Sequence, residues 1–146
     1  MPRVREACAE DAGAIVRLLG ELGYPGCDAF IDRRLRQQLD HPDASLLVAE
    51  GEDGSLLGLI SLHFIVQLAL DGDFCRISYL CVDSTARGKG VGALLIQAAE
   101  QCALARGCDR MELHCDARRE AAHRFYDRLG YEDAPLYFRR ALNQPG

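Results

Sequence analysis

Residues 83–92, Asp83-Ser84-Thr85-Ala86-Arg87-Gly88-Lys89-Gly90-Val91-Gly92, decide how this chain is read. Ahead of them, Phe74–Val82 is a mostly apolar run that predicts a strand buried on both faces. Behind them, residues 91–106 carry Leu94, Leu95, Ala98 and Cys102 on one helical stripe, with Gly107 placed to stop the helix. The first turn of a helix leaves backbone N–H groups without intrahelical acceptors. Those donors and the positive end of the helix dipole attract phosphate. Gly88, Gly90 and Gly92 let the backbone come close to an anion, since no Cβ intervenes. Arg87 and Lys89 add positive charge, and an arginine can hold two phosphate oxygens at once. The chemistry implied is pyrophosphate binding.

A P-loop, G-x-x-x-x-G-K-[ST], does not fit: Gly90 follows Lys89, and Asp83 stands where the first glycine belongs. The dinucleotide fingerprint G-x-G-x-x-G/A is formally met by Gly88, Gly90 and Ala93, with Glu112 roughly 20 residues on. That fingerprint normally opens a βαβ array, whereas hairpin-like strands precede it here. A tight strand-to-helix turn that binds nothing is the bland alternative, disfavoured by the flanking Arg and Lys.

Outward from the loop, the pattern predicts a strand at Val4–Ala7 and a helix over 10–22, with Ile15, Leu18, Leu19 and Leu22 as its apolar stripe. A more polar helix follows over 28–39. Strands are expected at Leu46–Glu50, Leu56–Gln67 and Met111–Cys115, a helix at 118–129 and a final strand at Leu136–Ala141. Hairpins first and a βαβ unit later predict an α+β, mixed-sheet architecture. The chain has 146 residues, no internal repeat and no linker-like tract, which predicts a single domain, 1–146. A net charge of −5 argues against a nucleic-acid partner, and no apolar run reaches membrane-spanning length. Residues 1–86 hold 7 basic and 14 acidic side chains, and 87–146 hold 10 and 8, so an anion is better placed in the second part. Seven cysteines without a secretory segment predict reduced thiols and a cytoplasmic location. Neither Cys nor His shows metal-site spacing, so no metal is expected.

Arg87-Gly88-Lys89-Gly90-Val91-Gly92 matches [RQ]-x-x-G-x-[GA], and Ala122-His123-Arg124-Phe125-Tyr126-Asp127-Arg128-Leu129-Gly130-Tyr131 matches A-x-x-F-Y-x-x-x-G-[FY]. With both motifs in register, the chain resembles the GNAT superfamily of acetyl-CoA-dependent N-acetyltransferases over nearly its whole length. The resemblance implies a central twisted, mostly antiparallel sheet flanked by helices. It implies that acetyl-CoA is the cosubstrate and an amine the acceptor. By analogy the backbone of Arg87, Gly88, Lys89, Gly90, Val91 and Gly92 holds the coenzyme A pyrophosphate. Leu80, Cys81 and Val82 pair with the pantetheine arm where the fourth and fifth strands part, and a backbone N–H there polarises the thioester carbonyl. Transfer is direct, within a ternary complex, and Tyr126 is the general acid that protonates the leaving thiolate; a phenol can donate that proton. Homodimers are common in the family, and one is among the expectations for this chain.

The family pattern breaks in two places. Arg119 stands where many relatives carry a cofactor-contacting Asn, and Ser78 where many carry a basic Glu. The base is left open among Glu112, His114, Asp116, His63 and water. These departures support an alternative, a non-catalytic acyl-CoA-binding module, which the retained Tyr126 opposes. Cys81 is expected as a small buried residue rather than a nucleophile, and Cys27 as an exposed, oxidation-prone thiol. By analogy the acceptor is walled by residues 21–36 and 63–74. Glu21, Asp28, Asp32, Asp71 and Asp73 there could hold a cationic amine, with Tyr24, Phe30 and Phe64 nearby. Arg33, Arg34 and Arg36 could clamp an acidic group, or face water.

Overall fold

The computed structural model describes residues 1–115, 119–134 and 138–142. It consists of two compact units, Met1–His114 and Cys115–Gly146. The first contains β1 (Arg3–Glu6), α1 (Ala12–Leu22), α2 (Ile31–Asp40), β2 (Ala44–Glu50), β3 (Leu56–Ile65), β4 (Asp73–Val82), α3 (Val91–Ala105) and β5 (Cys108–Leu113); the second contains α4 (Glu120–Arg128). The sheet runs β1-β2-β3-β4-β5. Its first four strands are antiparallel neighbours, and only β4 and β5 are parallel, joined by α3 as the crossover. The expected mixed, mostly antiparallel α+β architecture is therefore present.

Both faces of the sheet are covered. On one, Ile15 and Leu18 of α1 and Leu35 of α2 pack on Leu46, Val48, Leu59 and Cys81. On the other, α3 buries Val91, Leu95, Ile96, Ala99 and Ala103. That stripe lies partly round the helix from the predicted one, since Leu94, Ala98 and Cys102 are only half-buried. The approach of α3 decides this. A Cβ on Gly58 of β3 would lie 2.8 Å from the Cys81 carbonyl, 3.1 Å from Leu95 Cδ1 and 3.3 Å from Val91 Cγ1. The missing side chain lets the first turns of α3 settle onto the sheet.

An ion-pair knot ties β1 to the start of α1. Arg5 donates to both Asp11 oxygens at 2.9 Å and to Glu50 on β2 at 3.0 Å. Asp11 is buried and also accepts from the Cys8 backbone N–H at 2.8 Å. The Arg5 hydrogen bonds hold the Asp11 carboxyl below its usual range. Asp11 thus precedes the α-helix instead of lying in its first turn.

Several expectations are corrected. β4 is not buried on both faces: Cys75, Ile77 and Cys81 are buried, whereas Ser78 and Tyr79 are exposed. A bulge is the reason. Tyr79 opposes Ser61 and Ile77 opposes Leu62, so Ser78 is an extra residue and the inward parity of the strand changes there. Cys27 is buried, its thiol donating to the Tyr24 carbonyl at 3.1 Å. Phe64 is buried under the Arg106 guanidinium, 4.1 Å from the ring centroid, so it is core rather than acceptor wall. β5 begins at Cys108, three residues before the expected start, because its register with β4 begins at Asp73↔Cys108. The expected final strand falls partly outside the described residues, and 138–141 form no strand.

Two outcomes test these interactions. Gly58→Ala should destabilise the fold by about 1–3 kcal/mol through overpacking, seen as a lowered urea midpoint. Asp11→Asn should cost about 1–3 kcal/mol at neutral pH, the worth of hydrogen bonds to charge. Because the Asp11 carboxyl titrates below its ordinary value, its stabilisation is complete above about pH 4 and fades as pH falls further. The difference between wild type and Asp11→Asn in chemical unfolding should shrink in that acidic range.

Candidate active site

The site is built where β4 leaves its neighbours and hands the chain to α3. β4 and β5 are in register from Asp73↔Cys108 to Ile77↔Leu113, and the described pairing stops there. From Ser78 to Val82, the described pairing of β4 is with β3. The described pairing with β5 therefore ends at the bulge, and Leu80, Cys81 and Val82 lie beyond it. The Cys81 side chain belongs to the buried core with Leu59 and Leu18, so what this residue can present to a ligand is backbone.

After Val82 the turn is held rigidly. The Asp83 carboxylate accepts from the Thr85 backbone N–H at 2.9 Å and from its hydroxyl at 2.8 Å, capping a single 3-10 turn over Ser84–Ala86. Arg17 of α1 reaches Asp83 at 2.6 Å and the Leu56 carbonyl at 3.1 Å. Glu21 of α1 accepts from the Ser84 N–H at 3.1 Å. The hydrogen bonds from Thr85, then that from Arg17, bring the Asp83 carboxyl down to about 2, so it is ionised throughout the physiological range. Glu21 is thus committed to the loop rather than to an acceptor.

The next residues open outward. Arg87, Gly88, Lys89 and Gly90 are exposed. Gly88 and Gly90 have φ of +77° and +83°, in the left-handed region where a side chain is strained, and no atom lies within 4 Å of where either Cβ would be. Gly90 is the N-cap of α3 and supplies no side-chain acceptor. The first-turn N–H groups of Val91, Gly92 and Ala93 precede any intrahelical acceptor by helix geometry. Open space, glycine backbone, an N-terminus without a side-chain cap and two cations suit a diphosphate. Arg87 also donates to the Val82 carbonyl at 3.4 Å, which draws its base back towards β4.

On the α1–α2 side, Tyr24 and Tyr79 meet edge to face with centroids 5.5 Å apart, and both are substantially exposed, as is Phe30. Tyr79 carries no motif; only the bulge turns it outward. Arg33, Arg34 and Arg36 face water on α2, and so do Asp28 and Asp32. Glu112 of β5 is engaged by Arg110 at 2.7 Å and Arg76 at 3.5 Å, and the Phe74 ring lies beneath both guanidiniums. His114 is exposed, and Asp116 lies outside the described residues. His63 Nδ1 is 2.7 Å from Ser78 Oγ, a link that sequence spacing does not reveal because the two are joined across β3 and β4.

In the second unit, Arg119 precedes α4 as its N-cap residue and Tyr126 lies within the helix. Tyr126 packs against Phe125 at 5.1 Å and Tyr131 at 5.8 Å between centroids. The Tyr131 N–H donates to the Tyr126 carbonyl at 3.0 Å, closing the helix end after Gly130. Phe125 is half-buried, and no α4 residue is fully buried. Among the described residues, no group of His, Cys, Asp and Glu could hold a metal ion, and no helix is long and apolar enough to cross a membrane.

Comparison with known proteins places this geometry. Residues 14–131 match the acetyltransferase (GNAT) family. The chain is 33% identical over 141 residues to the aminoalkylphosphonate N-acetyltransferase of Salmonella typhimurium, covering 95% of this chain and 90% of that protein. In fold it resembles a crystal structure described as a transcriptional regulator from Bacillus halodurans, with a TM-score of 0.88, 23% identity and coverage of 97% and 100% of the two chains. It also resembles glucosamine-6-phosphate N-acetyltransferase from Arabidopsis thaliana, with a TM-score of 0.84, 22% identity and coverage of 98% and 99%. The chain belongs to the GNAT family and is an acyl-CoA-dependent N-acetyltransferase.

Proposed function

We propose that residues 1–146 act as one domain that moves the acetyl group of acetyl-CoA directly to a primary amine of a small molecule or peptide, within a ternary complex. The observation that carries this reading is the continuous path from the bulge to α3. The stretch of β4 beyond its last described pair with β5 leads, through a turn clamped by Arg17 and Asp83, into an open left-handed glycine loop. The pyrophosphate belongs to Arg87, Gly88, Lys89, Gly90, Val91 and Gly92. The pantetheine amides belong to Leu80, Cys81 and Val82, whose backbone also polarises the thioester carbonyl as charge develops on its oxygen. Arg119 offers a further cationic contact to the cofactor.

Tyr126 is the proton donor to the departing thiolate. Support comes from its place in the Ala122–Tyr131 motif and from the phenol's ability to give up a proton without a charged neighbour. The acceptor is best sought among small primary amines that also bear an anionic group. The Salmonella relative is named for aminoalkylphosphonates, and Arg33, Arg34 and Arg36 are exposed on α2. A cytoplasmic setting is supported by the cysteines: the described residues include all seven, and none forms a disulfide.

Coenzyme A release measured with a thiol reagent over an amine panel tests the activity; reaction confined to hydroxyl or thiol acceptors would refute the amine assignment. Gly90→Val should raise the dissociation constant of acetyl-CoA by at least about tenfold, or about 1.4 kcal/mol, measured by calorimetry. Equal affinity in that variant would remove the loop from the binding site. Tyr126→Phe should lower kcat with little change in acetyl-CoA affinity, and unchanged kcat under saturating substrate would remove the acid role.

A further inference from the structure

We propose that Ser78 and His63 form the proton-accepting pair of the transfer, Ser78 passing to His63 Nδ1 the proton that the acceptor nitrogen loses as it is acylated. This rests on the acetyl-transfer reading above and adds to it the base that reading lacks.

Position comes first. Ser78 is the extra residue of the β4 bulge and the first β4 residue beyond the last described pair with β5. It is exposed, and it stands two residues before Leu80, about 7 Å along a strand at the usual rise per residue. It therefore sits at the mouth of the gap assigned to the thioester. Bulges commonly re-aim a side chain in this way beside active sites.

Chemistry comes second. A serine hydroxyl cannot keep a proton taken from an amine at neutral pH, but it can accept one while donating its own. The 2.7 Å contact to His63 Nδ1 provides the second acceptor. Half-burial, reinforced by the charges of His41 and Arg76, pushes the His63 imidazole below its ordinary pKa, so it is neutral at pH 7 and Nδ1 is able to accept. The charged groups around it come from three directions. Arg76 lies opposite on β4, paired in turn with Glu112 of β5, and His41 and Asp43 come from the turn between α2 and β2. Asp43 is itself bound by Arg106 at 2.8 Å. His41, Asp43, Arg76, Val66 and Ser78 line, with His63 itself, an open depression of about 530 Å³ that gives His63 a route for returning the proton to solvent. The other candidate base of β5, Glu112, is already held between two guanidiniums.

The step balances as follows. The nitrogen lone pair forms the C–N bond at the thioester carbonyl carbon. The nitrogen's proton moves to Ser78 Oγ as the Ser78 proton moves to His63 Nδ1. The C–S bond then breaks with its electron pair going to sulfur, and the thiolate is protonated. Amide and free thiol are the products, and His63 releases its proton to water. Ser78 meets the reacting proton; His63 acts through it as a positioning and proton-storing residue.

The test uses full-length protein and the amine acetylated fastest among aminoethylphosphonate, spermidine and a lysine-containing peptide. His63→Gln and Ser78→Ala should each lower kcat by about 10²-fold to 10⁴-fold, the range of a lost general base. The two together should lower it no further than either alone; the wild-type pH profile should show an acidic limb from His63, and both variants should lack it. Acetyl-CoA affinity by calorimetry and the Tm should stay unchanged. Wild-type kcat and an unaltered acidic limb in His63→Gln would overturn the proposal. So would losses in both variants that merely track weakened acetyl-CoA binding or a lowered Tm. Failure of the underlying reading looks different: the wild type itself would then show no heat with acetyl-CoA and no thiol release with any of the three amines.

Discussion

The single-residue bulge at Ser78 is the constraint on which the rest of this site depends. Because side chains alternate along a strand, one inserted residue exchanges the two faces for everything beyond it. Before the bulge, Cys75 and Ile77 oppose Phe64 and Leu62; after it, Tyr79 and Cys81 oppose Ser61 and Leu59. Leu59 and Cys81 lie in the core under α1 and α2, whereas Gly58, their neighbour in register, faces Val91 and Leu95 of α3. The same residue coincides with the end of the described pairing between β4 and β5. In plain register Tyr79 would lie on the same face as Ile77 instead of meeting Tyr24.

The glycine loop is held by elements on both sides of the sheet. From the α1 side, Arg17 and Glu21 bind Asp83 and Ser84. From the α3 side, Gly58 admits the first two turns of the helix against β3. The loop is fixed at its base by charge and packing and left bare at its tip. Ordered backbone donors with no competing side chain are what an incoming anion needs, since little ordering is left to be done on binding.

The sequence carried the glycine loop, the motif around Tyr126, the order of most elements and the mixed character of the sheet, because each is a local pattern. A helix stripe, a turn glycine or a capping position is set by neighbours within a few residues. What it could not carry are relations across the sheet. Phe64 reads as an aromatic free to line a site, yet it is buried beneath Arg106, forty-two residues away in the chain. Cys27 reads as a loop thiol, yet the turn folds it inward. Glu21 reads as a carboxylate for an amine and proves to be a clamp on the loop.

By itself, then, the sequence determined that a strand enters a glycine-rich bend flanked by Arg87 and Lys89 and leaves it as a helix. Those outcomes follow from backbone sterics and hydrogen bonds within one short segment. Only the tertiary structure decided where β4 parts from β5, which aromatic side chains face outward, and that His63 reaches Ser78. Each of those depends on strand register, and register is chosen by how both faces of the sheet are buried together rather than by any one strand.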